Sequence, residues 1–291
     1  MAFRTVIVNS RCKLELSLNF MVCRKENDET KIVLDEVKLL VINSLHVSMT
    51  SSLFAEIIKK KIKVIFVDDK HNPIGEITPY QNNYYSYRKI KAQFNFPQQS
   101  KDYLWMKIVE RKILNQAKNL LISGKDSEFS KLMQYLEEVE LCDISNREGH
   151  SAKVYFNALF GKGFSRNDEE NIINKYLNYG YSIILSTINR EIKCMGYLTE
   201  LGIHHIGESN PFNLSCDFIE PLRPLVDSFI IKGNVNNDNF KHELAKLLSI
   251  KVKYQGKELF LDNAIHLYVE DLLNYLNTGD IGKIRFIDYE L

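Results

Sequence analysis

Two adjacent histidines, His204 and His205, stand shortly before two carboxylates, Asp217 and Glu220, in the stretch IHHIGESNPFNLSCDFIEPLRP from Ile203 to Pro224. Imidazole nitrogen with carboxylate oxygen is a donor set for a divalent cation. It suits Mg²⁺ or Mn²⁺ better than a thiolate-favouring metal, although histidine also accepts zinc. On a helix, positions i and i+3 share a face, so Asp217 and Glu220 could point at one ion. That ion would need at least one more protein ligand. The same residues also allow a reading without metal, in which the histidines end a loop and the carboxylates favour the first turn of a helix.

Other chemistry-bearing residues are scattered more thinly. Glu148 opens an apolar helical run in NREGHSAKVYF, where it could serve the helix dipole alone, while Gly149, Ser151 and Ala152 would let another helix or a ligand come close. His150 reads as a surface histidine and Cys216 as a packing residue, and no serine or cysteine triad is evident. Asn167, Asn171, Asn174 and Asn178 recur at helical spacing, a polar stripe that either lines a groove or pins helices together. Tyr80, Tyr84, Tyr85 and Tyr87 lie beside Arg88, Lys89 and Lys91. This mixture fits stacking and phosphate contact with nucleic acid, or a linker whose rings pack against its neighbours.

The elements that must carry these residues fall into two kinds. The runs at Arg4–Asn9, Cys12–Phe20, Lys31–Leu34, Val37–Asn43 and Lys63–Asp68 predict strands, with Cys12–Phe20 alternating strictly between apolar and polar. Ser51 and Ser52 can cap a helix bearing Leu53, Phe54, Ile57 and Ile58. These residues predict a β-rich, mostly antiparallel amino-terminal domain over 1–80, closed by Asn72-Pro73 and Pro79. A linker is expected over 81–96. Residues 97–291 predict a larger all-α domain, with helices near 103–121, 129–141, 152–160, 168–195, 217–231, 239–247 and 262–276. The fold class is therefore α+β, with no internal repeat.

At 291 residues, 45% hydrophobic and 26% charged, the chain has the composition of an ordinary globular protein. Lys and Arg total 38 against 37 for Asp and Glu, a net charge of +1, so a surface for nucleic acid would have to come from local asymmetry. The five cysteines lack any C-x-x-C spacing and read as reduced thiols. No stretch approaches the ~18 apolar residues of a membrane span, and no secretory signal is visible, so a cytoplasmic location is expected.

Three segments taken together carry a resemblance: NREGHSAKVYFNALFG, the stretch from Ser165 to Leu185, and GIHHIGESNPFNLSCDFIEPLRPLVD from Gly202 to Asp227. In this order the chain resembles the CRISPR-associated integrase (Cas-one) family of the spacer-acquisition machinery, in the form found with type II systems. The resemblance spans essentially the whole chain. It implies a β-sandwich-like dimerisation domain followed by a helical catalytic domain. It further implies Glu148, His205 and Glu220 as catalytic metal ligands for Mg²⁺ or Mn²⁺, with Asp217 as an additional carboxylate at the metal. Because the histidines are paired, the choice between them is ambiguous. His205 is taken as the ligand because its distance from Asp217 is close to the family spacing, and His204 as a loop residue. Arg223 lies where it could meet phosphate.

The function so implied is CRISPR adaptation: insertion of protospacer DNA into the repeat array by attack of a DNA 3′-hydroxyl on a phosphodiester. The implied partners are double-stranded DNA, a second copy of the chain and a small ferredoxin-like adaptation subunit. The type II effector nuclease and an accessory ring-forming protein also take part in such systems. Two alternatives stand beside this reading. One is a metal-dependent nuclease that cleaves branched or free nucleic acid, and the other is a non-catalytic DNA-binding scaffold.

Overall fold

The computed structural model describes residues 4–26, 28–69, 73–77, 84–233 and 240–289. Asn72, Pro79 and Tyr80 lie outside the described residues. The chain divides into two compact units, Met1–Gln81 and Asn82–Leu291. Among the described residues, no helix is long and apolar enough to cross a membrane.

The first unit holds β1 (Arg4–Val8), β2 (Cys12–Ser17), β3 (Phe20–Lys25), β4 (Asp28–Val33), β5 (Val37–Ile42), β6 (Val47–Met49), α1 (Ser51–Lys59), β7 (Lys63–Val67) and β8 (Pro73–Glu76). The strands form two sheets, ordered β1-β5-β7-β8 and β4-β3-β2-β6. Val8, Leu40 and Val64 of one sheet share a buried cluster with Leu14 and Met21 of the other and with Leu53 and Ile57 of α1. One core therefore joins both sheets and the helix, a sandwich-like arrangement.

Three details differ from expectation. The strand predicted over Cys12–Phe20 ends at Ser17, because Leu18 adopts φ 54° in a two-residue turn and pairs β2 with β3. The pairing is also less antiparallel than predicted: β1 with β5, β5 with β7 and β2 with β6 are parallel. Parallel neighbours need a crossover, and α1 supplies one between the β5–β6 stretch and β7. Finally, the cap of α1 is Thr50, whose Oγ1 accepts the N–H of Leu53, rather than Ser51 or Ser52.

The second unit holds α2 (Ser86–Phe94), α3 (Gln98–Ile122), α4 (Asp126–Glu137), α5 (Arg147–Phe160), α6 (Ile172–Cys194), α7 (Asn213–Ile219), α8 (Arg223–Lys232), α9 (Phe240–Ala245), β9 (Lys251–Tyr254), β10 (Lys257–Phe260) and α10 (Leu261–Thr278). The stretch predicted as a linker carries α2, which belongs to this unit. Its buried Gln93 donates to the carbonyls of Leu198 and Leu201 at 2.9 and 3.2 Å. Tyr84, Tyr85 and Tyr87 are exposed rather than packed as a linker would require. Among the described residues, and contrary to an all-α expectation, the helices of this unit are joined by the β9–β10 hairpin, with Lys253 of β9 bridged to Asp288. The hairpin's signature is legible after the fact, since KVKY and KELF flank Gln255-Gly256, both at positive φ as a tight hairpin turn demands.

Two features of this unit position the residues of interest. First, α3 is buried on more than its apolar face. Leu104, Ile108, Val109 and Ile113 are buried, and so are Lys112, Asn115, Gln116 and Asn119. These four polar residues follow the i, i+3, i+4, i+7 spacing of one helix face. Second, the helix predicted over 217–231 is broken. Pro221 lacks an N–H and its ring crowds the carbonyl four residues back, so α7 stops at Ile219 and a 3-10 turn at Glu220–Leu222 leads into α8. Side chains of α3 fasten this segment: Asn115 donates to Pro221 O at 2.9 Å and Asn119 to Pro224 O at 2.8 Å.

Candidate metal centre

Glu148 sits in the first turn of α5. The carboxylate of Asp143 accepts the backbone N–H groups of Arg147 and Glu148 at 2.8 and 3.0 Å, and Asn146 Oδ1 caps Gly149 N–H at 3.2 Å. These acceptors satisfy donors that a helix start leaves free. They hold the backbone of Glu148 in place and leave its side chain for another task.

That side chain meets Lys112 of α3. The Lys112 ammonium donates to Glu148 Oε1 and, at 2.5 Å, to Glu220 Oε2. The second oxygen of Glu220 accepts from Arg223 Nε at 2.8 Å. Lys112 is 6% exposed and Glu220 5%. Burial alone would raise the Glu220 pKa, but Arg223 and Lys112 outweigh it and hold the carboxyl at about 2. Burial would likewise lower the Lys112 pKa, and Glu220 and Glu148 instead raise it. The guanidinium carbon of Arg223 lies over the ring of Tyr181, 4.7 Å from its centroid. The arginine expected at phosphate is thus tied on one edge to Glu220.

The histidines belong to the loop before α7. Asp217, fully buried on α7, gathers this loop: its Oδ2 accepts the N–H groups of Ile203 and His204 at 2.7 and 3.2 Å, and its Oδ1 accepts that of His205 at 3.0 Å. His205 Nδ1 also donates to Oδ1, at 2.6 Å. The hydrogen bond to Asp217 raises the His205 pKa above 6.5. It also commits Nδ1 and leaves Nε2 as the atom able to take a ligand. Asp217, predicted to point at an ion together with Glu220, has both oxygens engaged by the loop.

His204 does something else. Its ring stacks on the buried indole of Trp105 at 4.0 Å with 4° between the planes, and loss of water from that face lowers its pKa below 6.5. His205 meets the same indole edge-on. The paired histidines, indistinguishable in sequence, therefore face different surroundings.

The remaining candidates are structural. The Asn stripe secures the segment before α6: Asn171 caps the helix, Asn174 donates to the carbonyls of Ser165 and Asp168 at 2.8 Å each, and Asn174 and Asn178 accept from Arg166. Asn167 lies before the helix. Burial pushes the Cys216 thiol pKa upward, and His150 is exposed.

A carboxylate pair drawn together around one cation, with an oriented imidazole on the adjacent loop, has the donor chemistry a divalent ion asks for. Electrostatic influence links the parts: Glu220 contributes to the raised pKa of His205, and His205 to the lowered one of Glu220. Among the described residues, no group of three or more metal-type side chains is closed up around a point. The position between the carboxylates belongs to Lys112, which the sequence reading missed. Its signal was available, since Lys112, Asn115, Gln116 and Asn119 repeat at helical spacing inside a predicted helix. A cleft of about 470 Å³ opens beside His205, lined in part by Phe96, Lys101, Ile206 and Asn210.

The comparisons agree with this architecture. The chain is 33% identical over 231 residues to the CRISPR-associated endonuclease Cas1 of Neisseria meningitidis serogroup C (strain 8013), covering 79% of this chain and 76% of that one. Among solved structures it is similar in fold to a casposase bound to integration product, with a TM-score of 0.76, 20% identity and coverage of 96% and 92%. It is also similar to a chain of a Cas6-RT-Cas1–Cas2 complex, with a TM-score of 0.74 and 17% identity. The match there covers 97% of this chain but spans only 36% of the larger one. The sequence model described as CRISPR associated protein Cas1 matches residues 5–264, nearly the whole chain and both units, so this protein belongs to the Cas1 family.

Proposed function

We propose that this chain is a metal-dependent DNA integrase of CRISPR adaptation, joining a DNA 3′-hydroxyl to a phosphodiester of the repeat array. The observation that carries the reading is the convergence of Glu148, from the start of α5, with Glu220, from the break after α7, on one buried cation. Glu148, Glu220 and Nε2 of His205 would hold Mg²⁺ or Mn²⁺. Such an ion, when bound, supplies Lewis-acid stabilisation of the charge that builds on phosphoryl oxygens and a template for their approach.

The protein's own residues do the rest. Asp217 positions His205 and fixes its tautomer instead of joining the ion, because its oxygens already serve the loop. Arg223 keeps Glu220 ionised and adds positive charge beside the site where a phosphate would lie. No side-chain nucleophile is needed, because the DNA hydroxyl attacks. The Cys216 thiol, pushed up by burial, is unsuited to that role.

Similarity to a CRISPR-associated endonuclease supports the same reading, and similarity to a chain of a Cas6-RT-Cas1–Cas2 complex supports a small adaptation subunit as partner. In this proposal the β-rich unit makes a homodimer and the substrate is double-stranded DNA.

The test is a joining assay with the partner subunit, Mn²⁺ or Mg²⁺, a duplex bearing a 3′-hydroxyl and a repeat-bearing plasmid. Covalent incorporation of the duplex is expected, and its loss in folded Glu148→Ala and His205→Ala variants. Cleavage without incorporation would replace integrase by nuclease. Full joining by both variants would leave a scaffold role for these residues.

A further inference from the structure

Lys112 has no part in the ligand set just proposed, yet it lies between two of its members. With Arg223 it sets two cations against two carboxylates, so the cluster is balanced before any ion arrives. A divalent ion between Glu148 and Glu220 would meet the ammonium at close range, where like charges in a poorly screened interior repel strongly. One position must yield.

The structure offers the ammonium a destination. Gln116 is 1% exposed, and its Oε1 has no hydrogen-bond partner among the described residues. A buried acceptor without a donor is costly and calls for a reason. Gln116 stands four residues after Lys112 on α3, hence on the same face. Helical side chains lean toward the amino terminus, so Gln116 reaches back over the turn that carries Lys112.

We propose that Lys112 is the built-in counter-ion of this site: its ammonium bridges Glu148 and Glu220 in the metal-free protein and swings to Oε1 of Gln116 when a divalent ion takes the carboxylates. The proposal rests on the reading of Glu148, His205 and Glu220 as ligands. Its consequence is that metal binding is an exchange of cations. The bridge keeps the two carboxylates from repelling each other in the empty site, and it also opposes the incoming ion. A monovalent ion gains too little from the carboxylates to displace a hydrogen-bonded ammonium, whereas a divalent ion gains enough.

The experiment is an Mn²⁺ titration of the metal-stripped full chain, with free ion followed by electron paramagnetic resonance, so that no activity is read. Lys112→Met is expected to bind Mn²⁺ about tenfold more tightly than wild type, and to melt at a lower temperature in chelator. Gln116→Met, which removes the destination, is expected to bind several-fold more weakly. The double variant should match Lys112→Met, because no ammonium remains to be placed. An affinity in Lys112→Met equal to or below wild type, or one in Gln116→Met equal to or above it, overturns the exchange. If Lys112→Met does not fold, Gln116→Met decides alone. Glu148→Gln separates the two levels. If it leaves Mn²⁺ binding intact, the ligand set fails and the exchange with it. If it abolishes binding while the Met variants keep wild-type affinity, only the exchange falls.

Discussion

Nδ1 of His205 lies 2.6 Å from Oδ1 of Asp217, a carboxylate that also accepts the backbone N–H groups of Ile203, His204 and His205. One buried side chain thus shapes the loop and aims the imbidazole ring it carries. The i, i+3 spacing predicts Asp217 beside Glu220 at an ion. In the structure the oxygens of Asp217 serve the loop, and those of Glu220 accept from Lys112 and Arg223.

Because the bond to Asp217 raises the His205 pKa above 6.5, the pair contributes stability that is fully present below the unfolded value and is lost as pH rises through the higher folded value. In metal-free Asp217→Asn, the His205 titration followed by NMR should move to lower pH. Asp217→Ala strips acceptors from buried N–H groups and should cost on the order of 3–5 kcal/mol in urea unfolding. An unmoved His205 titration in Asp217→Asn would show that another group sets its pKa.

Gly202 is where this loop has no room. A Cβ there would overlap the carbonyl oxygen of His205 and crowd Oδ2 of Asp217. Gly202→Ala should therefore displace the loop and reduce joining by roughly 100-fold or more, with a cooperative melt retained because the clash is confined to the loop. Wild-type joining rates would show that the loop shifts without effect on the site.

The two histidines should separate cleanly. Trp105 is the single tryptophan, so its fluorescence reports the stacked His204, and a charged imidazole quenches indole emission. The pH titration of that emission should contain a component with a midpoint below 6.5, as loss of water around His204 dictates, which should vanish in His204→Ala while a component from the edge-on His205 remains above 6.5. That variant should keep joining activity at a cost of about 1 kcal/mol in stability. His205→Ala should lose joining while keeping the component of the emission titration below 6.5.

Asp227 gives a pH dependence at a distance from the ligands. It is buried, accepts from Tyr181 Oη, and has its pKa raised by burial to about 6, with the hydrogen bonds from Tyr181 and Tyr155 offsetting part of the rise. A raised folded pKa means stability present at low pH and lost as pH climbs through about 6. Asp227→Asn removes the buried charge, so at pH 8 it should unfold at higher urea than wild type, by on the order of 2–3 kcal/mol. The gap should close toward pH 4. A constant difference across that range would mean that Asp227 titrates normally.

The donor types of the candidate site were legible without coordinates, because donor type is a property of the residue. Three ordered segments carried the family resemblance, two of them holding the glutamate, histidine and second carboxylate that it implies as ligands, and alternating and helical periodicities separated a β-rich unit from a helical one. Spacing along the chain, however, says which residues share a helix only while the helix continues. It does not say which partners they find: Asp217 engages the loop of His204 and His205, and Glu220, three residues on, engages Lys112 and Arg223.

What the sequence determined, then, was the donor chemistry available to the candidate site: a glutamate, paired histidines and two further carboxylates in order along the chain. Tertiary structure decided the partnerships. It placed Lys112 between Glu148 and Glu220, stacked His204 on Trp105 and turned Asp217 to His205. These pairings range from Asp217 of α7 with His205 on the loop just before it to Lys112 of α3 with Glu220 in the turn after α7. Chain order does not encode such distances; the packing of α3 against α5, α7 and α8 creates them.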